Sequence, residues 1–420
     1  MLSPNPLPLF CALLLCLPLA FVFTINTGPA ATTTSSSAAD DGGGGDPVSI
    51  PATPLPNARF DIKANVEARI LESRIPTDEL PIIANAKNPA SNPPPPPPPP
   101  PPPTPPAFSY DDAEDEALFR VASRVSPNPT RPKKLAFMFL TTTGLPFAPL
   151  WEAYFRTAPQ DLYNIYVHAD PTRNPGPRFS GVFAGRVIPS KPSRRHTPTL
   201  IAAARRLLSR ALLHDRGNAM FALLSPSCVP LRSFNFTHRT LAGSGKSFIE
   251  ILKNEPGRYD RWAARGPDAM LPEVTLEDFR IGSQFWALTR RHARAAAADT
   301  RLWSKFRLPC LQRAPCYPEE HYFPTLLSMR DPRGCVPCTL THVDWKGRSD
   351  GHPRTYRAGE VGAELIRRLR NERPRYGDGG ANGTDLLAHR RHDPFLFARK
   401  FDPGAAGALM GIAEDVLFKD

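Results

Sequence analysis

The sequence has no internal repeat, no zinc-finger spacing, no RNP-like aromatic motif and no uninterrupted basic helix. These absences set aside a solenoid and make nucleic acid a poor partner, although the net charge is +12. The arginines fall instead into scattered pairs, Arg205-Arg206, Arg290-Arg291, Arg367-Arg368 and Arg390-Arg391, a pattern that predicts solvated faces. A basic balance of this kind also suits an anionic membrane or a phosphorylated substrate. Cysteine is scarce, with seven in 420 residues. Cys335-Val336-Pro337-Cys338 lacks both a second Cys-x-x-Cys and a spaced His pair, so a zinc site has too few ligands. Charge is missing from the whole of Leu7 to Ile25.

That uncharged stretch approaches the ~20 residues a helix needs to cross a bilayer. It is read as an uncleaved signal anchor, with a cleaved signal peptide ending near Pro29-Ala30-Ala31 as the competitor. No Lys or Arg flanks it, while Asp40, Asp41 and Asp46 on its far side favour an N-terminus left in the cytoplasm. On either reading the bulk of the chain enters an oxidising lumen. There Cys228, Cys310, Cys316, Cys335 and Cys338 could close at most two internal disulfides. Asn235-Phe236-Thr237 and Asn382-Gly383-Thr384 are glycosylation sequons suited to that compartment.

Residues 26–116 carry no folding pattern. Thr, Ser, Ala and Gly dominate to Gly45, and eleven consecutive prolines run from Pro93 to Pro103. Such a run adopts polyproline II and spaces what it joins by ~3 Å per residue, as a stem would. The acidic patch from Asp111 to Glu116 reads as its solvated end. The chain thus divides into a cytoplasmic tip and anchor helix (1–25), a disordered stem (26–116) and a lumenal domain (117–420).

Within that domain, short apolar runs alternate with helical stretches. Strands are predicted at Leu135–Leu140, Tyr163–His168, Arg186–Ile188, Ala219–Leu224 and Gly282–Leu288. Helices are predicted at Pro149–Phe155, Pro198–Leu213, Arg290–Trp303 and Gly359–Arg370. The alternation predicts an α/β domain with a mainly parallel sheet. Ligands of such sheets bind beyond the carboxyl ends of the strands, which gathers Thr141–Gly144, His168–Asp170 and Ser225–Cys228 around one crevice.

One later stretch carries acid–base chemistry: Cys316-Tyr317-Pro318-Glu319-Glu320-His321-Tyr322-Phe323-Pro324. A carboxylate pair just after Pro318 is expected in the first turn of a short helix, where its direction is fixed and its ionised form is favoured.

This segment resembles the (D/E)-E-H motif of the plant core-2/I-branching β-1,6-N-acetylglucosaminyltransferase-like family, glycosyltransferase family 14. Lys134–Leu140, Tyr166–Asp170, Leu224–Leu231, Gly282–Trp286, His342–Trp345 and Phe397–Phe401 match the family's order over residues 133–404. The resemblance implies a GT-A-like nucleotide-sugar fold and an inverting transferase. A sugar, GlcNAc-like, would move from a UDP-sugar to a glycan or glycoprotein acceptor. It implies Glu320 as the base and no metal or other cofactor, with Arg354 and Lys400 stabilising the diphosphate instead. His168, Asp170, Ser283, Gln284 and Trp345 would contribute to the donor and acceptor pockets. A single-pass type II protein of the Golgi membrane is expected.

The sequence agrees with the metal-free reading at one point: Ser225-Pro226-Ser227-Cys228 stands after the fourth strand, where metal-dependent transferases place an Asp-x-Asp. It departs from its plant relatives at another. Arg194-Arg195-His196-Thr197-Pro198 replaces the usual Trp-Gly, and the next helix lacks the usual acid. This departure motivates a second reading, a catalytically silent sugar-binding or scaffold protein. A metal-dependent transferase is a third.

Overall fold

A computed structural model describes residues 112–420, apart from 174–177, 313, 349–350 and 379–389. The expected anchor, the proline run and the Asn382 sequon lie outside the described residues. Among the described residues no helix is long and apolar enough to cross a membrane.

Helix α1 (Asp112–Ser123) is the first described element. It takes in Asp112 to Glu116 of the acidic patch, which is not wholly solvated: Asp115 is buried and accepts from Arg206 Nε at 2.8 Å. Next come β1 (Lys134–Thr141), α2 (Ala148–Arg156), β2 (Tyr163–Ala169), α3 (Thr199–His214) and β3 (Asn218–Leu224). The predicted strand at 186–188 is reduced to a single bridge, Val187 to Val167, because the chain turns away after it. β4 (Val229–Pro230), α4 (Phe234–Gly243), β5 (Ser247–Phe248) and α5 (Arg258–Ala263) follow.

The predicted strand at 282–288 pairs only as β6 (Ala287–Thr289); Gly282–Gln284 is loop. The predicted helix at 290–303 is two helices, α6 (Arg290–Ala298) and α7 (Arg301–Phe306). Asp299 makes the break, its carboxylate accepting from the amides of Leu302 and Trp303 at 3.1 and 2.9 Å as a cap for α7. The remaining elements are α8 (Tyr322–Arg330), β7 (Cys335–Val336), β8 (Thr341–Val343), α9 (Ala363–Asn371), β9 (Phe397–Arg399) and α10 (Ala406–Gly411).

The large sheet has the order β2-β1-β3-β6-β5-β7. β1 pairs in parallel with β2 and β3, and β5 with β7, but β6 runs antiparallel to both its neighbours. The sheet is therefore mixed, with its long pairings parallel. A small sheet, β4-β9-β8, is parallel only between β8 and β9.

Alternation along β1 explains why its run is apolar throughout. Leu135, Phe137 and Phe139 face one core, and Ala136, Met138 and Leu140 face the other. The first core is aromatic: Phe137 meets Trp151, Tyr154, Phe155 and Phe397 edge-on, with centroids 5.0 to 6.3 Å apart. The second is filled by the Ala- and Leu-rich face of α3 and by α6 and α8.

The arginine pairs are not simply solvated. Arg205, Arg206 and Arg290 are buried, because each finds carbonyl or carboxylate acceptors inside the fold. Arg205 donates to the carbonyls of Ala296 and Asp299, and Arg290 to those of Ser126 and Asn218. Cys310 and Cys316 are bridged, while Cys228, Cys335 and Cys338 are buried thiols. Cys335 belongs to one core and Cys338 to the other, which explains why this Cys-x-x-Cys does not close.

Candidate active site

Glu320 ends a three-residue 3-10 turn, Pro318–Glu320, that leads into α8. The expectation of a helical first turn thus becomes a tighter turn, with Pro318 at its start. The turn is fixed from two sides. Gly282 N donates to the carbonyl of Glu320 at 2.8 Å, and the neighbouring disulfide ends at Cys316. Gly282 has no room for a side chain: a Cβ there would sit 2.1 Å from the carbonyl oxygen of Glu250. The next residue, Ser283, donates its amide to the Glu250 carboxyl, and its hydroxyl accepts from Phe285 N at 3.1 Å. Ser283 therefore shapes the loop under the turn, beside a half-buried Gln284.

The two carboxyls of the motif have different environments. Glu319 is buried, and burial pushes its pKa up to about 8, with Arg195 and Arg265 opposing. Burial thus favours its protonated form. Glu320 keeps 34% of its side chain accessible and lies 3.5 Å from Arg261 Nη1. Burial pushes its pKa up as well, while Arg261, Arg399 and Arg195 pull it back toward the ionised form. A third acid, Glu250, is raised to about 7 by burial, which Arg375 opposes; Glu255 and Glu320 add to the rise. One carboxylate in this set is thus surrounded by guanidiniums, and the acids around it resist ionising.

The cations come from three distant segments. Arg261 lies on α5, its guanidinium 5.5 Å from the Tyr317 ring. Arg399 closes β9 and lies 4.5 Å over the Phe285 ring; its Nε is buried without a hydrogen-bond partner. Lys400 follows it directly and is half-buried, its pKa lowered by burial and by Arg399 and Arg195. Arg195 belongs to the loop before α3. That loop is clamped on the motif by His196, whose Nδ1 is 3.1 Å from the Cys316 carbonyl and whose ring is 4.9 Å from Tyr317. Its other end is held by Asp170, which accepts from Ser193 N at 3.3 Å and from Thr172 N and Oγ1 at 2.9 and 2.7 Å. Burial works against the Asp170 carboxylate, yet these donors hold its pKa below the usual value.

Of the remaining expected residues, Arg354 belongs to a segment joined to Lys400, since Tyr356 N donates to the Lys400 carbonyl at 2.8 Å. His168 is fully buried on the α3 side of β2, where Lys191 N approaches its Nε2 at 3.4 Å; burial lowers its pKa to about 4. It is a neutral core histidine and does not reach the crevice. Arg354 is exposed, paired with Glu360 and 4.0 Å from Asp344. Trp345 is 50% exposed in the loop leaving β8. Asn235 is exposed on α4. Among the described residues no group of three His, Cys, Asp or Glu is arranged to hold a metal ion.

Sequence reasoning missed Arg195, Arg261, Arg399 and Glu250. Arg399 adjoins Lys400, and Arg195 lies in the segment that departs from the plant relatives. Nothing around Arg261 or Glu250 distinguishes them from surface charge.

A sequence model described as "Core-2/I-Branching enzyme" matches residues 135–370. The rice (Oryza sativa subsp. japonica) protein named glycosyltransferase BC10 is 27% identical over 331 residues, covering 71% of this chain and 81% of the relative. A crystal structure of the galactosyltransferase LgtC, in complex with donor and acceptor sugar analogues, aligns with a TM-score of 0.33 and 8% identity over 68% of this chain and 98% of that one. The family match spans more than half of the sequence and includes the turn that carries Glu320, so the chain belongs to the core-2/I-branching enzymes, a glycosyltransferase family.

Proposed function

We propose that this chain is an inverting, metal-independent transferase of GT-A-like fold that moves a GlcNAc-like sugar from a UDP-sugar to a glycan or glycoprotein. The single observation behind the reading is one ionisable carboxylate, Glu320, facing a cluster of cations. Glu320 removes the proton from an acceptor hydroxyl, and the oxygen attacks the anomeric carbon as the bond to the diphosphate breaks. Guanidiniums that favour the ionised form keep the base available, while burial raises its pKa and so its basicity. Lys400, with Arg354 from the segment before Tyr356, neutralises the departing diphosphate in place of an ion. Trp345, exposed at the end of β8, offers a face on which an acceptor sugar can stack.

A type II protein of the Golgi membrane with a lumenal domain suits the Cys310–Cys316 bridge, which needs an oxidising compartment. The unusual 194–198 segment, which motivated a silent scaffold, instead supplies Arg195 to the cation cluster. The test is transfer from a panel of UDP-sugars by the full chain, with EDTA present. Transfer by the wild type and its loss in Glu320→Gln are expected. Equal turnover by the variant would remove Glu320 as base.

A further inference from the structure

The cations around Glu320 do not balance. Arg261 is paired with Glu320, and Arg354 with Glu360 and Asp344. Among the described residues no carboxylate makes an ion pair with Arg195, Arg399 or Lys400. These three crowd one another. Arg195 and Arg399 each act on Lys400, and Arg195 acts on Arg399, all as like charges. Arg195 is exposed, Arg399 and Lys400 are half-buried, and Glu320 faces them as a single acid already paired with Arg261, so the cluster carries excess positive charge that an anion would balance.

The arrangement suits a particular anion. Arg399 lies with its guanidinium over Phe285, which leaves the donor edges of the fork free. Its buried Nε has no acceptor among the described residues. Below it lies Cys228, just past the carboxyl end of β3, the end of an α/β sheet where nucleotides bind. Arg195 comes from the loop clamped by Asp170 and His196, and His196 fixes that loop to Cys316 and Tyr317, just before Glu320. A group with two adjoining phosphates can accept from a fork, a second guanidinium and an ammonium together.

We propose that Arg195 and Arg399 are, with Lys400, the diphosphate-binding residues of this chain. Arg354, already neutralised by Glu360 and Asp344, contributes less than either. This rests on the donor reading above, and it moves the weight of diphosphate recognition from an arginine paired with two acids to two that make no ion pair among the described residues. It also assigns the 194–198 departure a role: Arg195 adds a cation directly to the leaving group.

Calorimetry on the full chain, with EDTA present, tests this with three probes: UDP, uridine and inorganic pyrophosphate. The wild type should bind UDP and pyrophosphate. Arg195→Gln and Arg399→Gln should each weaken both by roughly tenfold or more, as loss of a charge-assisted hydrogen bond requires. Uridine affinity should stay within about twofold. Arg399→Lys, which keeps the charge but loses the fork, should fall between wild type and Arg399→Gln, and its unchanged melting temperature separates binding from folding. Arg354→Gln should lose less than either glutamine variant. If both glutamine variants keep wild-type UDP affinity, or if Arg354→Gln loses more than they do, the assignment is overturned. Wild-type binding of pyrophosphate but not UDP, lost in both variants, keeps the cation site and removes the nucleotide-sugar reading. A wild type that binds neither overturns both.

Discussion

The half-sheet β2-β1-β3 and the small sheet β4-β9-β8 do opposite work. The first has strands of seven or eight residues, nearly all buried, over an aromatic core. The second has strands of two or three residues, paired between segments more than fifty positions apart, and it delivers Arg399 and Lys400 to the crevice. Long buried strands secure the fold through apolar area and cannot hold unpaired charge. Short strands at a rim bring charges from remote segments together and add little to the core. Stability and chemistry are therefore separable here, and each should be breakable without the other.

The largest expected effect is on the chemistry. Glu320→Gln should reduce transfer by about 10²- to 10⁴-fold, the usual contribution of a positioned base. The denaturant midpoint should stay at its wild-type value, and an equal fall in stability would show that the two halves are not separable. Phe137→Ala is the converse. It removes the ring at the centre of the aromatic core and should lower stability by about 3–5 kcal/mol in denaturant unfolding. Whatever protein remains folded should turn over at the wild-type rate.

Glu319 sharpens the comparison through pH. Its carboxyl holds its proton up to about pH 8 in the fold but releases it near 4.5 when unfolded. The sign follows: the unfolded chain loses this proton first, so stability is full below about pH 4.5, declines as pH rises, and levels off above about 8. The loss should amount to a few kcal/mol. Glu319→Gln should flatten thermal stability across that window; an unchanged slope would assign it to other groups.

Asp170→Asn should have the smallest effect, about 1–2 kcal/mol for a weakened charged acceptor at the base of the Arg195 loop. Donor KM should rise by several-fold with little change in kcat, as expected for a residue that positions a binding loop. A fall in kcat alone would place Asp170 closer to the reaction.

The residues that were legible in the sequence share a property: their roles follow from immediate neighbours. Continuous apolar runs marked β1, β2 and β3, and the acid pair after Pro318 marked the turn that carries Glu320, the proposed base. The apolar run Phe285–Leu288 predicts a strand that starts before β6 does, yet Gly282 is held between Glu250 and Glu320 and stays in a loop. Asp299 ended a helix that its Ala-rich surroundings predict to continue. His168 ends a strand as a ligand would, but strand alternation turns its ring into the α3 core.

Sequence alone determined the α/β class, the position of the acid pair and the enzyme family, because apolar periodicity and a short ordered motif are local properties. Tertiary structure decided which charges meet: Arg195, Arg261, Arg399 and Glu320 lie in segments far apart along the chain, and each one's electrostatic environment exists only after the chain has brought them together. Charge interacts through space and burial, and neither is written in the order of residues.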